Sequence, residues 1–310
     1  GTIGGRTDFY MWKPVFLDYS YNFAVRNFRH GSFGNITKID NTRQVKNSES
    51  FFSVAAGMPL AHRGVFLIRA NGGHVNYRYD SDELFADDTD HSRYSFFGIK
   101  AELARNTLDK FLYPRRGSDL KLSGIFVTGR DKYEPFDAEK FLSRTSRQWV
   151  GARLTWDKYF DMPGCSWFSL GLNVDGVITN HPEFTTEGAT VMSMPAYEPV
   201  PHAQMIYMPD FRGKRFAAGG VMPTFDLMPN FFLRTGFYAM FREKRSFVPG
   251  VSGPVEDKRW HYIAEASLVY HTPIGPVSLA LTKYDLRNWK NMYLTFNFGY
   301  AIFAPKGTFY

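Results

Sequence analysis

Long hydrophobic runs are missing from this 310-residue chain, and cysteine is almost missing too. No stretch approaches the roughly 18–20 consecutive apolar residues that a membrane-spanning helix needs, which excludes a helical membrane protein. The same test leaves a β-barrel open, because a barrel strand needs only about 9–11 residues with every second one apolar. The single cysteine, Cys165, excludes an internal disulfide and reads as a lone thiol in an apolar setting. Clustered basic charge is absent as well. A net charge of +7 could suit nucleic acid or anionic lipid, but the Lys and Arg residues are scattered among aromatics, so no nucleic-acid partner is expected.

Chemistry-bearing motifs are equally scarce. The eight His residues form no close ligand pair, so no zinc site is expected. The acidic run at 80–90 lacks the spaced Gly and closing Glu of a calcium loop and reads as a solvated connection. A hydrolase elbow would need Gly-x-Ser-x-Gly; the nearest approach, Gly250-Val-Ser252-Gly-Pro254, has Pro where the second Gly belongs and reads as a turn. These residues are therefore expected to hold no catalytic group, metal or cofactor. The opening Gly1-Thr2-Ile3-Gly4-Gly5 has neither Met nor a basic-then-apolar leader. The expectation is a single barrel domain over 1–310, forming the later part of a longer or processed protein.

What the chain has in excess is aromatic: 30 Phe, 18 Tyr and 6 Trp make 17% of it, at a mean hydropathy of only -0.31. Rings spread along many short strands suit an outer wall facing lipid, with Tyr and Trp at its two rims. Period-two alternation is clearest in the last run, where Leu294, Phe296, Phe298, Tyr300 and Ile302 share one face and Thr295, Asn297, Gly299 and Ala301 the other. The same reading predicts strands over 15–25, 51–58, 64–79, 94–104, 119–128, 147–156, 167–178, 214–225, 231–241, 260–271, 276–284 and 293–303. Arg234 and Glu265 fall on the inward faces, opposite rows of Phe and Leu, which inverts the pattern of a soluble β-sandwich or propeller. The fold class expected is all-β, an antiparallel transmembrane β-barrel, with no long helix. Short turns alternate with connections that read as long and polar: 26–50, 80–92, 131–146, 180–210 and 242–258.

One segment stands out among these connections. Phe211-Arg-Gly-Lys-Arg-Phe216 closes the longest and opens a strand rich in small residues (Ala217, Ala218, Gly219, Gly220), which leaves room for something to fold back into the lumen. An arginine enclosed there wants a carboxylate, and inward Glu265 is the candidate partner.

Several segments, in order, resemble the BamA/TamA-type outer-membrane superfamily. Asn106-Thr-Leu-Asp-Lys-Phe-Leu-Tyr-Pro-Arg-Arg-Gly117 is similar to its asparagine–leucine–aspartate…proline-x-x-glycine hairpin, and Phe211-Arg212-Gly213 to its arginine–glycine–aromatic loop motif. Thr272-Pro-Ile-Gly-Pro276 resembles its turn before the penultimate strand, and Phe298-Gly299-Tyr300…Phe303 its C-terminal assembly signal. Within the superfamily, Tyr262-Ile-Ala, Leu268-Val-Tyr-His-Thr-Pro-Ile-Gly-Pro-Val-Ser-Leu279 and Lys283-Tyr-Asp285 look like the barrel of Bacteroidota patatin-like phospholipase fusions.

The resemblance implies a loop at Phe211, Arg212 and Gly213 that dips into the lumen and pairs with inward carboxylates. Relatives often carry an acidic residue where this chain has Gly236, which directs the expectation to Glu265. It also implies a sixteen-stranded barrel, of which about twelve strands are legible, with the first strands and a patatin-like lipid acyl hydrolase upstream. The alternative is an insertase or protein-translocation pore, and a weaker third reading is a diffusion porin. The expected location is the outer membrane of a Gram-negative bacterium, with outer-membrane lipid, lipopolysaccharide and a homodimer or larger outer-membrane complex as partners.

Overall fold

The computed structural model describes residues 2–10, 14–29, 44–80, 89–134, 143–162, 164–185, 187–200, 203, 208–243, 259–284, 292–299 and 306–308. Seven strands lead: β1 (Thr2–Tyr10), β2 (Pro14–Arg29), β3 (Gln44–Leu60), β4 (Gly64–Asp80), β5 (Thr89–Asn106), β6 (Gly117–Glu134) and β7 (Ser143–Met162). Six follow: β8 (Cys165–Thr179), β9 (Arg215–Met228), β10 (Phe231–Arg242), β11 (Trp260–Thr272), β12 (Gly275–Tyr284) and β13 (Met292–Phe298). One short helix, α1 (Glu187–Ser193), interrupts the connection between β8 and β9. All thirteen strands form one antiparallel sheet in sequence order, each paired with its chain neighbours. Among the described residues no ladder joins β1 to β13.

Twelve of these strands fall where alternation predicts them; β1 does not. Thr2-Ile-Gly-Gly-Arg-Thr-Asp-Phe-Tyr10 carries only Ile3 on its outward row before Phe9, so its period is invisible, yet it pairs residue for residue with β2 from Thr2↔Asn22 to Tyr10↔Pro14. Most strands are also longer than expected, whereas β13 ends at Phe298, short of the expected 303, because Gly299 turns the chain. β3 to β7 run 17–20 residues, about 45 Å along the axis at the usual rise and tilt, against an apolar band of about 25 Å. Above the band the outward face turns polar too, as at Lys46↔Arg78 beside the inward pair Arg26↔Asn47. The alternation fades there while the backbone ladder continues, which shortens the expected connections.

The outward rows are apolar and exposed, including Ile99 and Leu103 on β5, Leu122 and Phe126 on β6, Val150 and Leu154 on β7, and Leu279 and Leu281 on β12. Aromatics gather at two levels. Trp167, Phe168 and Phe225 cluster near the short turns, and Phe231 lies 6.5 Å from Tyr270. At the other end Phe241 meets Trp260 at 5.0 Å and Phe237 meets Tyr262 at 6.0 Å. Between Tyr270 and Tyr262 or Trp260 on β11 the axial rise is about 20–26 Å, the thickness of an outer-membrane apolar band. The inward rows are buried instead: Tyr94, Phe96, Trp149, Met222, Tyr238, Met240, Ile263 and Val269. A barrel with lipid outside and a filled lumen has this distribution. Leu279→Arg, at mid-band on β12, should cost about 2–4 kcal/mol of folding free energy into vesicles. Urea titration of bilayer-refolded protein measures it, and a change near zero would remove Leu279 from the lipid face.

Candidate functional site

The described residues of the connection between β8 and β9 pack into the lumen. The base of this connection is pinned by Thr179 N–H to Lys214 C=O (3.0 Å), and it doubles back on itself through Tyr197 N–H to Phe211 C=O (2.9 Å) and Gly213 N–H to Pro195 C=O (3.2 Å). Read as polar in the sequence, this segment is apolar where it matters: residues 189–194, 196, 197 and 200 are buried. Tyr197, Val200, Ala203, Met208 and Phe211 pack on the inward side chains Tyr159, Met222, Tyr238, Met240, Ile263 and Tyr284. Phe184, Ala189 and Met192 pack on Tyr94, Phe96 and Trp149. Each large apolar side chain so buried contributes about 1.5–3 kcal/mol. Phe211 meets His261 at 5.6 Å and Tyr284 at 6.1 Å, edge to face.

Polar ties orient the segment on β6, β7 and β8. Asp131 accepts both the N–H and the hydroxyl of Thr185 (2.9 Å each). Tyr197 donates to Asn173 (2.7 Å), and Arg153, paired with Asp175 across β7 and β8, donates to the Ala196 carbonyl (3.2 Å).

Arg212 is 6% exposed. Its Nη1 donates to the carbonyls of Met192 (2.9 Å) and Met194 (3.2 Å), at the end of α1, and its Nη2 lies 3.8 Å from Glu198. The guanidinium therefore holds the fold of its own segment. The expected pairing with Glu265 is not formed. Glu265 on β11 accepts from Ser267 and stands opposite Gly236 of β10. That space belongs to the Tyr238 ring, which would lie 2.7 Å from a Cβ at Gly236. The missing acidic residue is thus replaced by an aromatic lid on the wall, and Glu198, a member of the loop itself, supplies the charge. Gly213 is buried beside Arg242, but a Cβ there would make only ordinary contact, at 3.6 Å.

Five charged groups converge here: Arg26 of β2, Glu49 of β3, Glu198, Arg212 and Lys306. Arg26 pairs with Glu49, and Lys306 Nζ reaches both oxygens of Glu198 at 3.1 and 3.2 Å. Burial pushes the Lys306 ammonium down to about 8 against the pull of Glu198. Burial would raise the Glu198 carboxyl, but Lys306 and Arg212 overcome it and hold it below the usual range. Both are ionised at neutral pH. The cavity left among Arg26, Glu49, Tyr77, Arg212 and Lys306 measures about 20 Å³, room for about one water.

The short-turn mouth is closed by the connection from Asn106 to Gly117. Asn106 caps the Leu108 N–H (2.9 Å), and Asp109 accepts the N–H groups of Arg115 (2.9 Å) and Arg116 (3.2 Å). So held, Tyr113 turns inward and donates to Ser278 of β12 (2.9 Å), while Arg115 pairs with Asp226 of β9. Arg234, inward as expected, stands between the rings of Tyr113 and Tyr159, at 5.5 and 5.7 Å.

Of the remaining residues singled out in the sequence, Phe298 ends β13 on the exposed face opposite Val277. Gly299 then turns with φ +76° and donates its N–H to the Pro276 carbonyl (2.9 Å). Tyr300 and Phe303 lie outside the described residues, as do Gly250–Pro254 and most of the acidic run at 80–90. Cys165 is a half-buried free thiol beside the β7–β8 turn. Among the described residues no cluster of His, Cys, Asp or Glu could hold a metal. Glu198, Glu49 and Lys306 were not legible as a group; the one hint is Met192-Ser-Met-Pro-Ala-Tyr-Glu198, too apolar for a solvated loop.

Arg212→Ala leaves two buried carbonyls without their donor and takes one of two cations from Glu198, and should lower stability by about 3 kcal/mol. Glu265→Gln should leave it within about 0.5 kcal/mol. The temperature of the heat-dependent gel-mobility shift reads both, and equal losses would return Glu265 to the Arg212 site.

No protein-family profile matches the chain, and no curated protein matches its sequence. Solved structures do. The barrel superposes on BamA from Haemophilus ducreyi lacking POTRA domains 1–3, with a TM-score of 0.60 at 11% identity, over 95% of this chain and 60% of that one. CdiB from Acinetobacter baumannii aligns over 94% of this chain and 57% of its own, at 8% identity and a TM-score of 0.35. The chain thus spans about 60% of the length of the BamA structure it matches. At such identity the likeness is one of fold: a transmembrane β-barrel of the BamA kind.

Proposed function

We propose that the chain is the membrane domain of a BamA/TamA-type outer-membrane protein of a Gram-negative bacterium of the Bacteroidota, and that it anchors and helps to export a patatin-like lipid acyl hydrolase encoded upstream. The observation that carries the anchoring role is the lumen. The described residues between β8 and β9 pack into it on the Phe211-Arg212-Gly213 base, and Tyr113 reaches in from the short-turn mouth to Ser278, an arrangement unsuited to steady diffusion. A closed barrel serves better as a membrane anchor than as a porin.

The enzyme half of the reading rests on the segments 262–285, which resemble the barrels of patatin-like fusions. On this reading the catalytic Ser and Asp lie upstream. The short turns face the periplasm, and the long-loop end meets lipopolysaccharide and the partners of a homodimer or outer-membrane complex. The likeness to the BamA fold favours a second reading, an insertase or translocation pore.

Intact mass and N-terminal sequence of the native polypeptide in outer membranes test the proposal. The expected species is much heavier than 35.6 kDa, with Gly-x-Ser-x-Gly ahead of this segment. A heavy species without that motif, whose depletion causes other barrels to misassemble, would overturn it in favour of the insertase.

A further inference from the structure

Lys306, Gly307 and Thr308 follow β13 but do not extend its ladder. They lie in the lumen against β3, β4 and β5, and Gly307 and Thr308 are buried. Three features of the lumen fit this stretch. Both oxygens of Glu198 take the Lys306 ammonium, at 3.1 and 3.2 Å. Glu49 accepts the Gly307 N–H at 2.8 Å, and Asn71 of β4 donates to the Gly307 carbonyl at 2.8 Å, so both backbone groups of one residue are read at once. A Cβ on Gly307 would stand 2.6 Å from Phe96 Cζ and 2.9 Å from Phe51 Cδ1, so the rings admit glycine and reject a side chain. A cation pocket, a matched donor and acceptor, and a steric filter make a built peptide site.

We propose that Glu198, Glu49, Asn71, Phe51 and Phe96 form an internal receptor for a Lys-Gly segment, and that 306–308 occupy it as a displaceable strap sealing the lumen. The placement of the loop's other ties supports a sealing role. Thr185, Ala196 and Tyr197 bind β6, β7 and β8, on one side of the lumen. The strap joins Glu198 of the loop to Glu49 and Asn71 of β3 and β4, beside the water-sized cavity lined by Arg26 and Tyr77. Its attachment is chiefly polar: an ammonium, one N–H and one carbonyl. A competing segment with the same chemistry can take these contacts over, because it leaves no buried charge or backbone group without a partner.

The test uses the full protein in bilayers, with Cys165→Ser and a reporter Thr308→Cys. A membrane-impermeant maleimide should label the reporter at least about tenfold more slowly in the folded barrel than after denaturation. Adding Gly307→Val should bring the rate close to the denatured one, and Lys306→Met should raise it part of the way. Both variants should increase conductance in planar bilayers, and a synthetic peptide of residues 304–310 should reduce it again, whereas the same peptide with valine at 307 should not. The heat-dependent mobility shift confirms folding, so a failed barrel is distinguished from a failed strap. Full labelling of the folded parent overturns the docking. A freed reporter with unchanged conductance in both variants overturns the seal.

Discussion

Everything in this molecule follows from a rule about backbone in hydrocarbon: no N–H or C=O may go unpaired where there is no water to take it. Twelve consecutive antiparallel pairings among the thirteen strands meet that rule between neighbours, with registers running unbroken over as many as 17 residues between β4 and β5. Once the backbone is satisfied by its neighbours, side chains are free of any common hydrophobic rule. Those pointing out must be apolar, and those pointing in need only suit one another. Trp149 and Val150, adjacent on β7, show the division: one is 1% exposed among Tyr94, His181 and Phe184, the other 52% exposed on the outer wall.

The lumen inherits a harder problem. A wall with inward Arg26, Glu49, Arg153, Asp175 and Arg234 cannot be packed with hydrocarbon alone, because each buried charge without a partner costs several kcal/mol. The connection 180–214 meets this by bringing both kinds of surface. Tyr197, Met208 and Phe211 cover the aromatic and aliphatic wall, while the Ala196 carbonyl accepts from Arg153 and Thr185 donates to Asp131. Arg212 holds this together from within, and Lys306 ties it to the segment after β13. The wall pairs Arg26 with Glu49 and Arg153 with Asp175, and the plug adds acceptors and donors to that network.

The sequence made the wall legible and left much of the plug hidden. Strand faces announce themselves because period two is repeated over Leu268–Tyr270, Val277–Leu281 and Leu294–Phe298, and each outward residue has the same need. β1 escaped because Gly4, Gly5 and Arg6 carry no such pattern, although Arg6 reaches Asp18 and the Phe16 ring of β2. The Asn106-to-Gly117 hairpin and the Phe211-Arg212-Gly213 segment could be marked by motif, but not their contacts. Arg212 finds a carboxylate 14 positions earlier in its own loop, and Tyr113 finds a serine 165 positions away. Those pairings depend on how a loop folds back, and no spacing along the chain encodes them. Glu265 was the reasonable guess from strand parity; the Tyr238 ring lying over Gly236 decided otherwise.

The measurement that bears most directly on this account is quenching of single-tryptophan variants in bilayers. Trp149 alone should be silent both to brominated lipid chains and to aqueous acrylamide, since it faces a filled lumen, whereas Trp260 alone, at the outer rim, should be quenched by shallow brominated lipid. Quenching of Trp149 by acrylamide would mean an open lumen, and quenching by lipid would mean the wall faces the other way.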